Sequence, residues 1–471
     1  MANTIKIKVD DNRVIRVPAD TEMTPRLLSS LIAKHKELVA RYYRPLDDAY
    51  KGRYEVFRLP KKPAWKPDNR IALNYAKYIS DTFNGFFLGI PAKLSADDGE
   101  SEAVKDYVEY LDSYNSQDMV NSELAKISSN FGTAYEMYYN DEDGEVGTLC
   151  LSPMEAFMVY DDSILGHEMF FVRYTKGADN IERGSYSDGS IVRHFENKGG
   201  IHWTDEETQH YFAGVPATEF MHNTERMSIY EDSLSAINAL NKAISEKAND
   251  IEYFSDAYLK IVGPKMSADE ANYIRDTRVI NLYRNPGSDD STPLDAGFLA
   301  KPDADTSQEH LIDRLHTEIF QLSMVANISD ESFGTASGVA LKYKLHAMYN
   351  LFRTKERKFK AGFDRRYRLI FSNPIAQTHG VKPDDWVKVS AAFTPNFPAN
   401  VAEEADNAAK LSGIVSRETQ LGLLSFVEDA AAELERLQED EAALMSGTNS
   451  YGADLPEHDH SHEVTEDEQE Q

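Results

Sequence analysis

Apolar side chains recur at helical spacing along most of this chain, interrupted by one long alternating stretch. A short extended start carries Ile5, Ile7, Val9, Val14 and Val17. An amphipathic helix over about Thr24–Tyr43 follows, with Pro25 suited to its first turn. Pro60, Pro63 and Pro67 break the chain, after which Asn69–Pro91 reads as a helix with Ile71, Tyr75, Tyr78 or Ile79, Thr82 and Phe86 on one face. A second helix, about Ser116–Phe131, leads into two β-prone runs joined by Asp143-Gly144, a hairpin signal, and alternating strands continue to about Phe220.

The periodicity then lengthens. Tyr230, Leu234, Ile237, Leu240, Ile244, Ile251, Phe254 and Tyr258 form one stripe of a predicted helix over Met227–Leu259, about 50 Å long at 1.5 Å per residue. Residues 263–303 read as a small insert: Gly263-Pro264, a short helix from Ser267, a strand Val279–Tyr283 and a turn cluster at Asn285–Asp290. A return helix, about Ser307–Val325, places Leu311, Leu315, Ile319 and Leu322 on one face. Gly334, Gly338 and the interleaved Ser and Thr loosen the chain between Ile328 and Val339, and a further helix runs to about Phe371 with Leu341, Leu345, Met348, Phe352, Phe359, Phe363, Tyr367 and Ile370 as its stripe. A strand from Trp386 to Phe393 and two alanine-rich helices, about Val401–Leu411 and Arg417–Leu444, complete the pattern.

Composition narrows the class. With 471 residues and 41% hydrophobic side chains, the chain is long enough for about three domains with real cores. Its single cysteine, Cys150, rules out an internal disulfide framework, fits a reducing compartment such as a cell's cytoplasm, and reads as a small hydrophobe in a strand. The charged, alternating N-terminus is no signal peptide and no run reaches membrane-span length, so a soluble protein away from the membrane is expected.

The formal charge is −29, which disfavours tight wrapping of a polyanion while leaving room for DNA that must slide past without sticking. Between Lys342 and Arg368 the pattern inverts, with ten Lys or Arg and only Glu356 and Asp364 opposing them. That helix offers either a weak phosphate-facing belt or cations paired with an adjacent subunit; its strong apolar stripe favours pairing, with the long basic side chains snorkelling. The last segment, Gly447–Gln471, has eight acids and no Lys or Arg, and is expected to be disordered.

Candidate chemistry fails on spacing. No G-x-x-x-x-G-K-[ST] is present to cradle nucleotide phosphates, and His167-Glu168 lacks the second histidine of a zinc helix. Gly334-Thr-Ala-Ser-Gly338 places its serine one position late for a nucleophile elbow. Asp141, Asp143 and Glu145 do not fit a twelve-residue calcium loop, and His458, His460 and His462 lie in the acidic tail, where nothing holds a geometry. Neither a catalytic residue, a metal nor a cofactor is expected. A metal-dependent intracellular enzyme acting on nucleic acid stays open as an alternative.

Several segments, in order, resemble the SPP1-type portal family of tailed phages: the helix from Asn69-Arg70 to Gly85 with Leu88-Gly89-Ile-Pro91, Gly132-Thr-Ala-Tyr-Glu-Met137, Leu151-Ser-Pro-Met-Glu-Ala-Phe-Met-Val-Tyr-Asp-Asp162, and above all Ser337-Gly-Val-Ala-Leu-Lys-Tyr-Lys-Leu345. The similarity spans about residues 65–400, and another phage head or neck structural component stays open as an alternative.

The resemblance implies an α+β portal fold: a mixed α/β wing (1–226 and 339–400), a stem of two helices (227–262 and 304–328), a small α/β clip (263–303), a tunnel loop (329–338), a helical crown (401–446) and the acidic tail (447–471). It implies a homo-dodecameric ring at the capsid vertex, conducting double-stranded DNA during packaging and ejection, present in the host cytoplasm during assembly. Implied partners are the terminase large subunit, a head–tail adaptor, and the major capsid and scaffolding proteins, with no membrane. Asp330, Glu331, Ser332, Phe333, Gly334, Thr335, Ala336 and Ser337 would line the channel, and Lys342 and Lys344 would touch DNA or a neighbouring subunit.

Overall fold

The computed structural model describes residues 6–64, 66–96, 102–255, 259–262, 269, 295–298, 305–329, 338–397, 401–424, 427 and 430–448. It forms two compact units, Met1–Asn396 and Phe397–Gln471, and mixes helices with antiparallel sheets, an α+β architecture.

The first unit is organised around two sheets. Strands β1 (Lys8–Val9), β2 (Ile15–Val17), β6 (Ala156–Asp161), β7 (Glu168–Lys176), β8 (Glu182–Ser187), β9 (Ile191–Asn197) and β10 (Ile201–Trp203) lie side by side in that order, with β11 (Thr208–Gln209) also on β9. Among the described strands of this sheet, only β2 against β6 is parallel, a pairing across the sequence that the alternating pattern alone does not specify. A smaller sheet runs β12 (Ala217–Met221), β4 (Thr133–Asn140), β5 (Val146–Leu151). As expected, β4 and β5 form a hairpin at Asp143-Gly144, where Gly144 takes the φ of +81° that only glycine adopts freely. The Asp141 carboxylate accepts from the N–H groups of Asp143 (3.0 Å) and Glu145 (2.9 Å) and from the Tyr114 hydroxyl (2.5 Å), so it fastens the turn rather than holding calcium. Cys150 sits half-buried on β5, and burial pushes its thiol up to about 12.

Helices Gln117–Phe131 and His346–Ser372 cover the smaller sheet. The stripe of the latter is buried as its spacing predicts: Met348, Phe352, Phe359, Phe363, Tyr367 and Ile370 are each at most 3% exposed. Phe87 packs edge-on to Phe352 and Phe359, and Phe393 stacks on Phe87.

Several expected boundaries move, each for a local reason. The helix that opens at Thr24, whose hydroxyl caps the Leu27 N–H, does not stop at Tyr43. It widens into a π turn, Val39–Tyr43, where Arg44 reaches back five residues to the Val39 carbonyl, and continues as Arg44–Tyr50 with Pro45 in its first turn. Residues 69–73 are extended instead of helical, and helix Tyr75–Leu88 starts behind an Asn74 cap. The N–H groups of Asn69, Ile71 and Leu73 donate to Asn249 Oδ1 (2.6 Å), Ser245 Oγ (2.9 Å) and Asn241 Oδ1 (2.8 Å). Every second residue of a strand thus meets every fourth residue of a helix, because the two repeats have nearly equal length.

The predicted 50 Å helix is Leu234–Ser255, about 33 Å long. Its start is delayed by side chains that engage the backbone locally, as where the Ser228 N–H donates to Glu231 Oε2 at 3.0 Å. Its end gives way to strand β13 (Leu259–Val262), paired antiparallel with β14 (Asp295–Phe298). The return helix is Asp305–Ser323, packed on the outgoing one through Lys247–Glu309, the Gln308 Nε2 to Asp250 Oδ2 bond (3.2 Å) and the Ser233 Oγ to Ile319 carbonyl bond (3.1 Å).

Trp386–Lys388 belong to a 3-10 turn, Pro383–Lys388, held where the Lys382 N–H donates to Asp385 Oδ2 (2.8 Å), and only Val389–Ala392 form a strand (β15), on β3 (Lys93–Ala96). In the second unit Val401–Lys410 is helical as expected, while the second alanine-rich helix is split into Arg417–Leu421 and Ala430–Thr448 at Gly422. Apart from Asp269, which is helical, the short helix expected from Ser267, the strand expected at Val279–Tyr283 and the tail beyond residue 448 lie outside the described residues.

Candidate functional site

The loop singled out by sequence hangs between two described ends. Asp330, Glu331, Ser332, Phe333, Gly334, Thr335, Ala336 and Ser337 lie outside the described residues. On the near side, the return helix ends at Met324, which adopts φ of +57°, and turns the chain so that Val325 is buried at 2% exposure while Ile328 stands 54% exposed. The Tyr78 hydroxyl lies 3.5 Å from both Asn327 Oδ1 and Ser329 Oγ, just before the loop. On the far side a short helix, Gly338–Lys344, meets the long helix His346–Ser372 at Leu345, whose ψ of 0° bends the axis without breaking the bonds from Leu345 N to Leu341 O (3.0 Å) and Tyr349 N to Leu345 O (2.9 Å). The expected single helix is therefore two, hinged on a buried leucine. Lys342 and Lys344 sit exposed on the short helix beside Tyr343, which is 79% exposed.

The cations further along the long helix are placed differently from expectation. Lys355 is fully buried: its ammonium donates to the Ala125 carbonyl (2.7 Å) and to Ser129 Oγ (2.6 Å), with the rings of Phe83, Phe87 and Phe359 5.0 to 5.5 Å away. Burial drives its pKa well below the ordinary lysine range. Arg366, also buried, donates from Nε to Glu136 Oε2 at 2.7 Å and from Nη2 to Asn121 Oδ1 at 2.7 Å. Burial weighs against its charge, and the Glu136 carboxylate more than offsets that, holding the guanidinium protonated. Glu136 is completed by Gln117 Nε2 (2.7 Å) and the Tyr138 hydroxyl (2.9 Å).

Arg353 and Lys360 share Glu356, and Arg365 reaches Glu168 at 3.1 Å. For Lys355, Arg366 and Arg365, the expected snorkelling and pairing with an adjacent subunit are thus corrected: they are buried or nearly so and their partners lie within the same chain. Arg353 and Lys360 keep their heads at the surface, as snorkelling predicts, while pairing with Glu356 on their own helix. For Lys355 and Arg366 the sequence offered no sign of this, because Ala125, Ser129 and Glu136 stand 226 to 230 residues upstream of the cations they hold. The Tyr78 contact to the loop's near end was missed for the same reason.

Among the described residues, no group of three or more His, Cys, Asp or Glu is arranged to hold a metal ion, and no helix is long and apolar enough to cross a membrane.

The model of the family described as phage portal protein, SPP1 Gp6-like, matches residues 28–446. The chain belongs to that family. The match takes in both units, the two packed helices and both ends of the loop. Among curated relatives, the portal protein of Clostridium phage phiCD119 is 22% identical, covering 91% of this chain and 97% of the relative. The portal protein of Bacillus phage SPP1 is 24% identical, covering 92% and 89%. A solved structure, the neck of an empty GTA particle computed with C6 symmetry, aligns with 75% of this chain and 90% of its own at 12% identity and a TM-score of 0.43, too loose a likeness to argue from.

Proposed function

We propose that copies of this chain close into a dodecameric ring at the capsid vertex, a non-enzymatic conduit through which double-stranded DNA enters during packaging and leaves during ejection. The reading rests on membership of the phage portal family, and one observation carries its physical side. The outgoing and return helices pack on each other yet leave Ile251, Leu311 and Leu322 61%, 51% and 48% exposed, apolar surface that closed cyclic symmetry would bury between neighbours.

In this proposal residues 1–226 and 339–400 form the wing, contacting the capsid shell and scaffolding proteins, and residues 401–446 the crown. The stem is the helix pair within 227–262 and 304–328. The clip, 263–303, docks the terminase large subunit and afterwards the head–tail adaptor. The loop 329–338 meets the passing duplex, and Lys342 and Lys344 at its foot face DNA or a neighbouring subunit. The overall charge of −29 favours sliding over sticking, since an acidic wall holds phosphates off the surface.

Negative-stain images of the purified full chain test this. Rings with an axial opening, at twelve times the 53.2 kDa chain mass, are expected; a persistent monomer across concentration and salt would overturn the ring. Deleting Asp330–Ser337 should impair DNA packaging while leaving rings intact, and unchanged packaging would remove the loop from the mechanism.

A further inference from the structure

Between strand β2, the turn joining β6 to β7 and the long helix His346–Ser372 lies a cleft of about 290 Å³ with a cationic lining, in a chain of net charge −29. Arg16, Arg226, Lys358 and Arg365 outnumber the two acids there, Glu168 and Glu219. Both acids are already engaged. Glu219 accepts from Arg226 through both oxygens (2.6 and 2.7 Å) and also from the Thr133 and Tyr160 hydroxyls, and Glu168 lies 3.1 Å from Arg365. Asp10, outside the lining, takes only the Arg16 Nε, at 3.3 Å.

What remains unopposed is positive. Lys358, half-buried on the long helix, makes no hydrogen bond, ion pair or ring contact among the described residues. Arg226 Nη1 and Arg16 Nη2 give no hydrogen bond there either, and neither is sealed from water. Three cations from three separate elements thus keep unspent donors in one recess, an arrangement that suits an anion with several acceptor oxygens.

The rim is apolar. Ile164 and Leu165, at the tip of the turn, are 105% and 79% exposed, and Leu165 itself lines the cleft. The turn that carries them is pinned. Asp161 Oδ1 accepts from the Ser163 N–H (3.1 Å), the Ser163 hydroxyl (2.6 Å) and the His167 N–H (3.1 Å), and Gly166, at φ of +63°, lies so close that a side chain there would begin 2.8 Å from Arg16 Nη1. Two aliphatic side chains are therefore held in water beside a cationic recess. A nucleic acid offers phosphates but no aliphatic group for this rim, and a recess of this volume takes a side chain or two rather than a duplex. An acidic peptide with an apolar neighbour matches both parts.

We propose that this cleft receives a carboxylate side chain from a short acidic segment of a partner protein, whose adjoining apolar residue packs on Ile164 and Leu165. The site is built within one chain and does not rest on the ring reading: rings seen by negative stain would stand even if the cleft bound nothing.

A fluorescein-labelled, end-blocked peptide, Glu-Leu-Glu-Glu-Leu-Glu, titrated into the full chain at physiological salt with fluorescence anisotropy as readout, tests it. The chain as a whole repels such a peptide, so binding reports a local site. Lys358→Gln should weaken it by about fivefold and Leu165→Ser by about tenfold. Lys93→Gln, which removes an exposed lysine elsewhere, should leave the affinity unchanged. Lys358 holds nothing and Leu165 is exposed, so circular dichroism should report an unchanged fold in both variants. Equal affinity for Gln-Leu-Gln-Gln-Leu-Gln, no effect of Lys358→Gln, or an equal loss in Lys93→Gln would overturn the carboxylate site. Equal affinity for Glu-Ser-Glu-Glu-Ser-Glu would overturn the apolar rim. A short DNA duplex that binds with the same dependence on Lys358 would assign the cleft to phosphates, and a fall in native mass on Lys358→Gln would assign it to a contact between copies; either result overturns the partner reading.

Discussion

The long helix His346–Ser372 and the return helix Asp305–Ser323 carry the same sequence signature, an apolar stripe at helical spacing, and meet different fates. On the long helix every stripe residue from Met348 to Ile370 is covered by the chain's own sheet and helices, and two cations, Lys355 and Arg366, are drawn inside with it. On the return helix Ile319 is fully buried, while Leu311 and Leu322 remain about half exposed. A stripe therefore tells which face is apolar but not what covers it. The first is a core completed within one chain; the second is a core left open, which in the proposed ring other copies complete.

The sharpest way to break the comparison is to disturb the closed core. Glu136→Gln leaves Arg366 buried without its counter-charge and should lower stability by about 3–5 kcal/mol in urea denaturation. A loss below 1 kcal/mol would mean that the pair is not the closed core's anchor.

A smaller effect of about 3 kcal/mol comes from His35, buried on helix Pro25–Leu38 with its ring nitrogens 2.9 Å from the Tyr174 hydroxyl and the Pro153 carbonyl. Burial, opposed by the bond to Pro153 and assisted by Lys36, lowers its pKa from 6.5 to about 4. Between those values the unfolded chain holds a proton that the native state refuses, so stability is full above pH 6.5 and is lost as pH falls towards 4. Unfolding measured across that window should show this slope in the wild type and lose its share in His35→Gln; an identical slope in the variant would contradict the assignment.

Least should happen to the subunit when the open stripe is changed. Leu311→Asp should alter subunit stability by less than about 0.5 kcal/mol, because the side chain is half exposed, and should nevertheless dissociate or weaken the assembly, as read by native mass. A variant with full assembled mass would show that the stripe is not a junction.

What the sequence made legible was local. Thr24 and Pro25 announced a helix start, Asp143-Gly144 a hairpin, and the stripe from Met348 to Ile370 a buried face, because each depends on neighbours a few residues away. Residues 69–73 misled because their N–H groups are satisfied by Asn241, Ser245 and Asn249, far along the chain. Lys355 and Arg366 read as snorkelling cations for DNA or an adjacent subunit for the same reason. The helix Glu102–Asn115 was passed over despite a usable signal, Val104, Tyr107, Val108 and Leu111, all buried. Of the candidate site, the motif from Ser337 to Leu345 was legible through its resemblance, whereas the bend at Leu345 was not, since no glycine or proline marks it.

Thiol labelling at the open stripe tests the central claim most directly. In a Cys150→Ser background, Leu311→Cys introduces one reactive thiol on the exposed side of the return helix. Labelling should be slow in the assembled particle and fast once subunits are dissociated. Equal rates in both states would contradict burial of this helix between copies.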